Sequence, residues 1–205
     1  MKIAVVSHLK YPIAQPFAGG LELHTHLLAT RLRARGHDVA LFAARGSDPA
    51  CGTVAVCDPT GEDDAEAAEG AAYVTIMAQI AAGDFDLVHN NSLHDLPLRA
   101  SLDLDVPMLS VLHTPPFLPY SDGMRARAPD MPVIAVSRTL AAEWGDLVDT
   151  IEIVPNGIDL RAFPARLAVP SRDPYAIWSG RIVPEKGLHL AIDAARAADL
   201  PLAFA

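Results

Sequence analysis

A chain of 205 residues suffices for one well-filled domain, or one domain and part of another. Hydrophobic residues make up 51% and charged residues 20%, which excludes a disordered or fibrous chain, and a net charge of −9 argues against a general nucleic-acid or acidic-membrane surface. With 2 cysteines there is no disulfide framework; no apolar run approaches the ~18 residues that span a bilayer, and the opening MKIAVVSHL is too short in its apolar part for a secretory leader, so a reduced, cytoplasmic setting is expected.

Lys2–Ser7 is a continuous apolar run and reads as a strand covered on both faces. A helix is predicted over 21–35, where Leu21, Leu28 and Leu32 share a stripe and Gly36 supplies the stop. Asp38–Ala43 and Thr53–Val56 follow as strands, then an Ala-rich helix Asp63–Ala82 whose buried line is Tyr73, Ile76, Met77 and Ile80. Next come strand Asp86–His89, a short helix near Leu98, and strand Pro107–His113. Strand Val133–Val136, helix Arg138–Gly145 and strand Thr150–Val154 complete the series. Repeated βα units predict an α/β, Rossmann-like, doubly wound parallel sheet over about residues 1–165, its strand order reversing beside the first βα loop. Ile158–Pro174, with Pro164, Pro170 and Pro174 and no period, reads as a linker. Beyond it a buried strand Tyr175–Ser179, helix Leu188–Ala198 and strand Pro201–Ala205 make one incomplete βαβ unit within 166–205, too small to bury both its faces.

In open α/β sheets ligands bind beyond the carboxyl ends of the strands. The residues found there are His8 with Gly19-Gly20, then His89, Asn90 and Asn91, then His113, then Ser137, then Asn156-Gly157, and finally Gly180, Arg181 and Lys186. Glycines before a helix permit close backbone approach to a phosphate, and cations at a helix start attract an anion. Taken singly, each also has a plainer reading: a tight turn at Gly19-Gly20, a hydrogen-bonded core histidine at His113, a turn at Asn156-Gly157, and an ordinary βα turn at 180–187. Several motifs are absent or misplaced. There is neither G-x-G-x-x-G after the first strand nor a P-loop. The D-x-D triplets Asp84–Asp86 and Asp103–Asp105 precede strands and so fall at the opposite rim, Cys51 and Cys57 lack zinc-site spacing, and His24 and His26 do not share a helix face.

Six stretches in order resemble the amino-terminal domain of a GT-B glycosyltransferase of retaining family 4. They are GGLELHTHLLATRLRARGHDVALFA (19–43), FDLVHNNS (85–92), VLHTPP (111–116), VIAVSRTLAAEW (133–144), IEIVPNGIDLRAF (151–163) and, at the start of the second domain, WSGRIVPEKGLHLAIDAA (178–195). The resemblance implies sugar transfer from a UDP- or GDP-linked donor to an unknown acceptor, with retention and with neither metal nor cofactor. It implies that Gly19, Gly20, Arg181 and Lys186 hold the donor diphosphate and that His113 sits at the reacting centre. Glu22, His24, His89, Asn90, Ser137 and Asn156 become candidates for acceptor or sugar contacts. Asn90 and Asn91 depart from the family's usual H-x-H or H-x-D after the fourth strand. The family's E-x7-E motif would lie beyond residue 205, so the chain alone is expected to be inactive and to self-associate or pair with a missing carboxyl-terminal fragment. A GT-B-fold sugar-nucleotide 2-epimerase and a non-catalytic binding module are the competing readings.

Overall fold

The first strand, β1 (Lys2–Val6), is buried from Ile3 onward, and its alternation divides the core in two. Ile3 and Val5 join one apolar cluster, Ala4 and Val6 the other. An unbroken apolar strand requires this, since neither of its faces can meet water without loss. The computed structural model describes residues 1–61, 66–161 and 174–205. They fall into two units, Met1–Gly157 and Ile158–Ala205. The boundary expected at 165, most of the Ile158–Pro174 linker and the start of the helix predicted from Asp63 lie outside the described residues.

The first unit continues with α1 (Gly20–Ala34), β2 (Asp38–Ala44), β3 (Thr53–Cys57), α2 (Glu66–Ala82), β4 (Leu87–Asn90), α3 (Asp95–Ala100), β5 (Met108–Leu112), α4 (Tyr120–Arg125), β6 (Val133–Ala135), α5 (Arg138–Trp144) and β7 (Glu152–Ile153). A 3-10 turn, Pro49–Cys51, precedes β3. The strands pair in parallel in the order β3-β2-β1-β4-β5-β6-β7. With β2 on one side of β1 and β4 on the other, winding reverses between β1 and β4. That is the predicted switch point, where open α/β sheets bind ligands.

α1 ends as its sequence predicts, with Arg31 and Arg33 in the last turn and Gly36 left-handed at φ +88°. Its buried side is different from the predicted leucine stripe. Glu22, Thr25 and Ala29 are buried, while Leu28 and Leu32 pack half-buried at the margin of the cluster. Small and polar residues on this side let α1 approach the sheet and carry a carboxylate inside. On the other face Tyr73, Ile76, Met77 and Ile80 of α2 are buried as expected, and the Tyr73 phenol donates to the Ser7 carbonyl at 3.0 Å. The helix α4 follows a Pro-rich loop and had no periodic signal; Tyr120 and Met124 anchor it. Trp144 is fully buried and donates from Nε1 to the Thr114 carbonyl at 2.9 Å, holding the loop after β5.

The second unit is β8 (Ala176–Trp178), a 3-10 turn at Pro184–Lys186, α6 (Leu188–Ala197) and β9 (Leu202–Phe204), with the two strands parallel. The expectation of a buried strand at Tyr175–Ser179 is corrected here: Ile177 is 69% exposed and Phe204 56% exposed. One helix covers only one face of a two-stranded ribbon. Among the described residues, no helix is long and apolar enough to cross a membrane.

Candidate active site

Strand alternation decides which side chains meet at the switch point. His89 is the register partner of Val5, which belongs to the cluster under α1. Val88 belongs to the opposite cluster, so Asn90 turns that way too. Asn90 is fully buried there: Nδ2 donates to Ser110 Oγ at 3.1 Å and Oδ1 accepts the Ser92 N–H at 3.1 Å. It shapes the loop after β4 and is not brought to the histidines that gather at the switch point.

Its neighbour Asn91 is. Asn91 Nδ2 donates to Thr25 Oγ1 on α1 at 3.4 Å, and Asn91 Oδ1 lies 3.1 Å from His113 Nε2. A carbonyl oxygen only accepts, so His113 carries its proton on Nε2 and keeps Nδ1 as an acceptor. The His24 ring meets His113 edge-on, with centroids 4.8 Å apart and planes at 60°. His89 lies on the same side of the sheet, and its Nδ1 is buried without a hydrogen-bond partner.

Glu22 closes the group from below the glycine loop. Its side chain is 7% exposed, with Oε1 2.9 Å from His8 Nε2. This is a close polar contact rather than an aligned hydrogen bond, because that nitrogen has no hydrogen-bond partner. A Cβ placed on Gly19 would lie 3.1 Å from Glu22 Oε2, closer than ordinary packing, whereas one on Gly20 would meet open space. Gly19 is extended at φ −168°, so the carboxylate, not the backbone, sets its preference for glycine. No side chain caps the amino end of α1, which leaves its first-turn N–H groups to water or a ligand.

Three of these histidines, His24, His89 and His113, are held neutral at ordinary pH. Burial lowers the His24 pKa. Burial, reinforced by the positive charge His24 would carry, brings His89 down to about 4. Burial, then the charges of His24, His89 and His8, brings His113 down to about 3. Neutral imidazoles each offer one donor and one acceptor, the complement of a hydroxyl group. The same shifts fix a stability profile. Unfolded histidine takes up protons below about pH 6.5, while the folded pair resists until pH 4 and 3. Their contribution is therefore complete above pH 6.5 and is lost as the pH falls through that window. Between pH 8 and pH 5 each should cost about 2 kcal/mol of unfolding free energy. Urea unfolding at the two pH values measures the loss, and His113→Gln should flatten the profile; an equal profile in wild type and variant would remove His113 as a cause.

The remaining candidates lie elsewhere. Ser137 is exposed, and its Oγ caps α5 by accepting the Leu140 N–H at 3.1 Å. Asn156 is exposed beyond β7, at the sheet edge three strands from β4, and neither it nor Gly157 is at positive φ. Arg181 and Lys186 are exposed on the turn that leads into α6, with Arg181 Nη2 3.5 Å from Glu185 Oε1. Gly187 at φ +68° opens α6 directly after Lys186. Two members of the group, His8 and Asn91, were placed at the rim by the sequence but given no role. Their signal was only their position after β1 and β4.

Ligand binding at a switch point is the habit of doubly wound domains, and the seven-stranded parallel sheet with its flanking helices is the Rossmann-like fold of GT-B proteins. Residues 18–162 match the model of Glycosyltransferase Family 4, and the chain belongs to that family. It is 26% identical to a D-inositol 3-phosphate glycosyltransferase of Kineococcus radiotolerans, over 94% of this chain and 56% of that protein. Its fold is similar to that of Anabaena Alr3699/HepE in complex with UDP, with TM-score 0.65, 18% identity, and coverage of 96% of this chain and 58% of the other. The complex of the same protein with UDP-glucose gives TM-score 0.64 at 18% identity, covering 100% and 59%. At that identity the likeness concerns the fold. The chain thus spans somewhat more than half the length of these relatives.

Proposed function

We propose that this chain forms the acceptor-side domain and the start of the donor-side domain of a cytoplasmic glycosyltransferase. The enzyme moves a sugar from a nucleotide diphosphate sugar to an acceptor hydroxyl, with retention and without a metal. The observation that carries the reading is the gathering of His24, His89, Asn91 and His113 beside Glu22 and the Gly19-Gly20 loop at the β1/β4 switch point. Neutral histidines and a buried carboxylate suit a polyhydroxylated ligand, and the uncapped start of α1 suits the donor diphosphate. Arg181 and Lys186 supply the positive charge that the leaving nucleotide needs. His113 accepts or directs the hydroxyl proton through Nδ1. UDP is the nucleotide to test first, because the similar structures are complexes with UDP and UDP-glucose, and the inositol phosphate of the relative favours a cyclic polyol as acceptor. The exposed Ile177 and Phe204 favour further protein, a second copy or the remainder of the second domain, packing on the βαβ unit.

The test uses a protein in which this chain continues through a complete second domain. UDP and GDP affinities and sugar transfer are measured, with the 205-residue chain as the inactive control. His113→Ala should lower kcat by about 100-fold or more while leaving nucleotide affinity unchanged. Wild-type turnover in that variant, or failure to bind any nucleotide sugar, would overturn the reading.

A further inference from the structure

Two residues beyond His24, α1 turns a second histidine away from the His24–His113 pair. At 100° per residue His26 points about 200° from His24, and it meets the β2–β3 connection. Its Nε2 lies 2.8 Å from Asp48 Oδ2. Cys51 Sγ forms the third corner, and all three donor atoms lie within 4.8 Å of one another. We propose that His26, Asp48 and Cys51 form a site for one zinc-like divalent cation, with water as the fourth ligand. This site is separate from the histidine cluster and takes no part in sugar transfer.

The donor chemistry is that of zinc: one imidazole nitrogen, one thiolate and one carboxylate oxygen, with an open position. The three residues ride on well-held backbone. His26 sits in the interior of a 15-residue helix. Asp48 and Cys51 bracket a 3-10 turn. Asp48 Oδ1 accepts the Ala50 N–H at 2.9 Å, which leaves Oδ2 for His26. The Asp48 carbonyl accepts from Thr53 Oγ1 at 2.7 Å, and its N–H donates to the Ile13 carbonyl at 3.0 Å. Zinc bonds of about 2.0–2.3 Å in a tetrahedron set ligand atoms roughly 3.3–3.8 Å apart. The His26–Asp48 pair therefore opens by roughly half an ångström and the thiol moves in by about one.

Access and shielding also fit. Cys51 is fully buried, while the His26 and Asp48 side chains are 19% and 35% exposed, so the open position faces solvent. The Phe17 ring lies edge-on to His26 at 5.1 Å. A plain His–Asp tether would account for two of the three residues. The thiol at the third corner, bonded only weakly at 3.9 Å to the carbonyl oxygen of His26, is what points to a metal. A bound cation would pin α1, and with it Glu22 and His24, to the β2–β3 connection.

The reduced, chelator-stripped chain is titrated with Co2+ and Zn2+. One cation per chain should bind, with the thiolate-to-cobalt charge-transfer band and the intense visible bands of a tetrahedral site, displaced by Zn2+, and Zn2+ should raise Tm. Cys51→Ser should abolish the charge-transfer band, and Cys57→Ser, at the other free cysteine, should retain it. His26→Gln, at a partly exposed position that tolerates the change, should weaken Co2+ binding by ~100-fold or more and so decides the matter if Cys51→Ser does not fold. Absence of stoichiometric binding, a weak octahedral spectrum, or a band that survives Cys51→Ser or disappears in Cys57→Ser would overturn the proposal.

Discussion

Replacing Arg181 or Lys186 with Ala, in a protein continued through its second domain, should lower kcat by about 30- to 1,000-fold, or roughly 2–4 kcal/mol of transition-state stabilisation. The expectation rests on what the turn between β8 and α6 offers. Both cations are exposed, within the residues that lead to the start of α6. Gly187 takes the left-handed conformation needed to begin that helix at once, and no side chain caps it. Trp178 Nε1 donates to the Lys186 carbonyl at 3.1 Å, which holds the turn against β8. A helix start with two cations stabilises charge that grows as the nucleotide leaves, and a group acting on growing charge affects kcat more than affinity. Steady-state kinetics of the single and double variants measure the effect. Wild-type turnover in the double variant would discard the diphosphate role.

Gly52→Ala should destabilise the chain by on the order of 3 kcal/mol or more. Gly52 follows the 3-10 turn at φ +74°, where any other residue bears about 1–2 kcal/mol of strain. The larger cost is steric. An added Cβ would lie 2.0 Å from the Val39 carbonyl oxygen and 3.2 Å from its carbon. Arg33 Nη1, at 2.7 Å, can swing away, but a β2 carbonyl cannot. Relief would pull the turn from β2 and break the bond from the Leu41 N–H to the Gly52 carbonyl, 2.9 Å long. Gly61→Ala is the control: φ is +72°, with nothing within 4 Å, so only the backbone strain remains. Urea unfolding compares the two. Equal losses would mean that β2 yields to the methyl group.

The parts of the fold that follow from local pattern were legible. Apolar runs of strand length between helical stretches can be buried only in a parallel sheet covered on both sides, and Gly36 marked the end of α1 because it must turn left-handed there. His113 and Gly19 could be singled out because they follow strand ends, whereas Glu22 and His24 became candidates only through the resemblance to the family. The helix α4 was missed because its 6 residues carry too few turns for a period to show. The burial expected of β8 failed because an apolar strand does not itself reveal how many neighbours cover it.

By itself, then, the sequence determined the order of the strands and of the longer helices, and which residues follow each strand end. Only the tertiary structure decided which of those residues meet. Asn90 and Asn91 are adjacent in the chain, yet a strand's two-residue alternation sends Asn90 to the Ser110 side of the sheet, while Asn91, just past the strand, reaches Thr25 and His113. His8 joins Glu22, and His26 joins Asp48 and Cys51, across separations that no local pattern encodes. Those contacts depend on strand register and on how closely α1 lies against the sheet. The register comes from pairing β1 with β2 and β4, and the approach of α1 from buried Thr25 and Ala29, where small side chains let the helix settle.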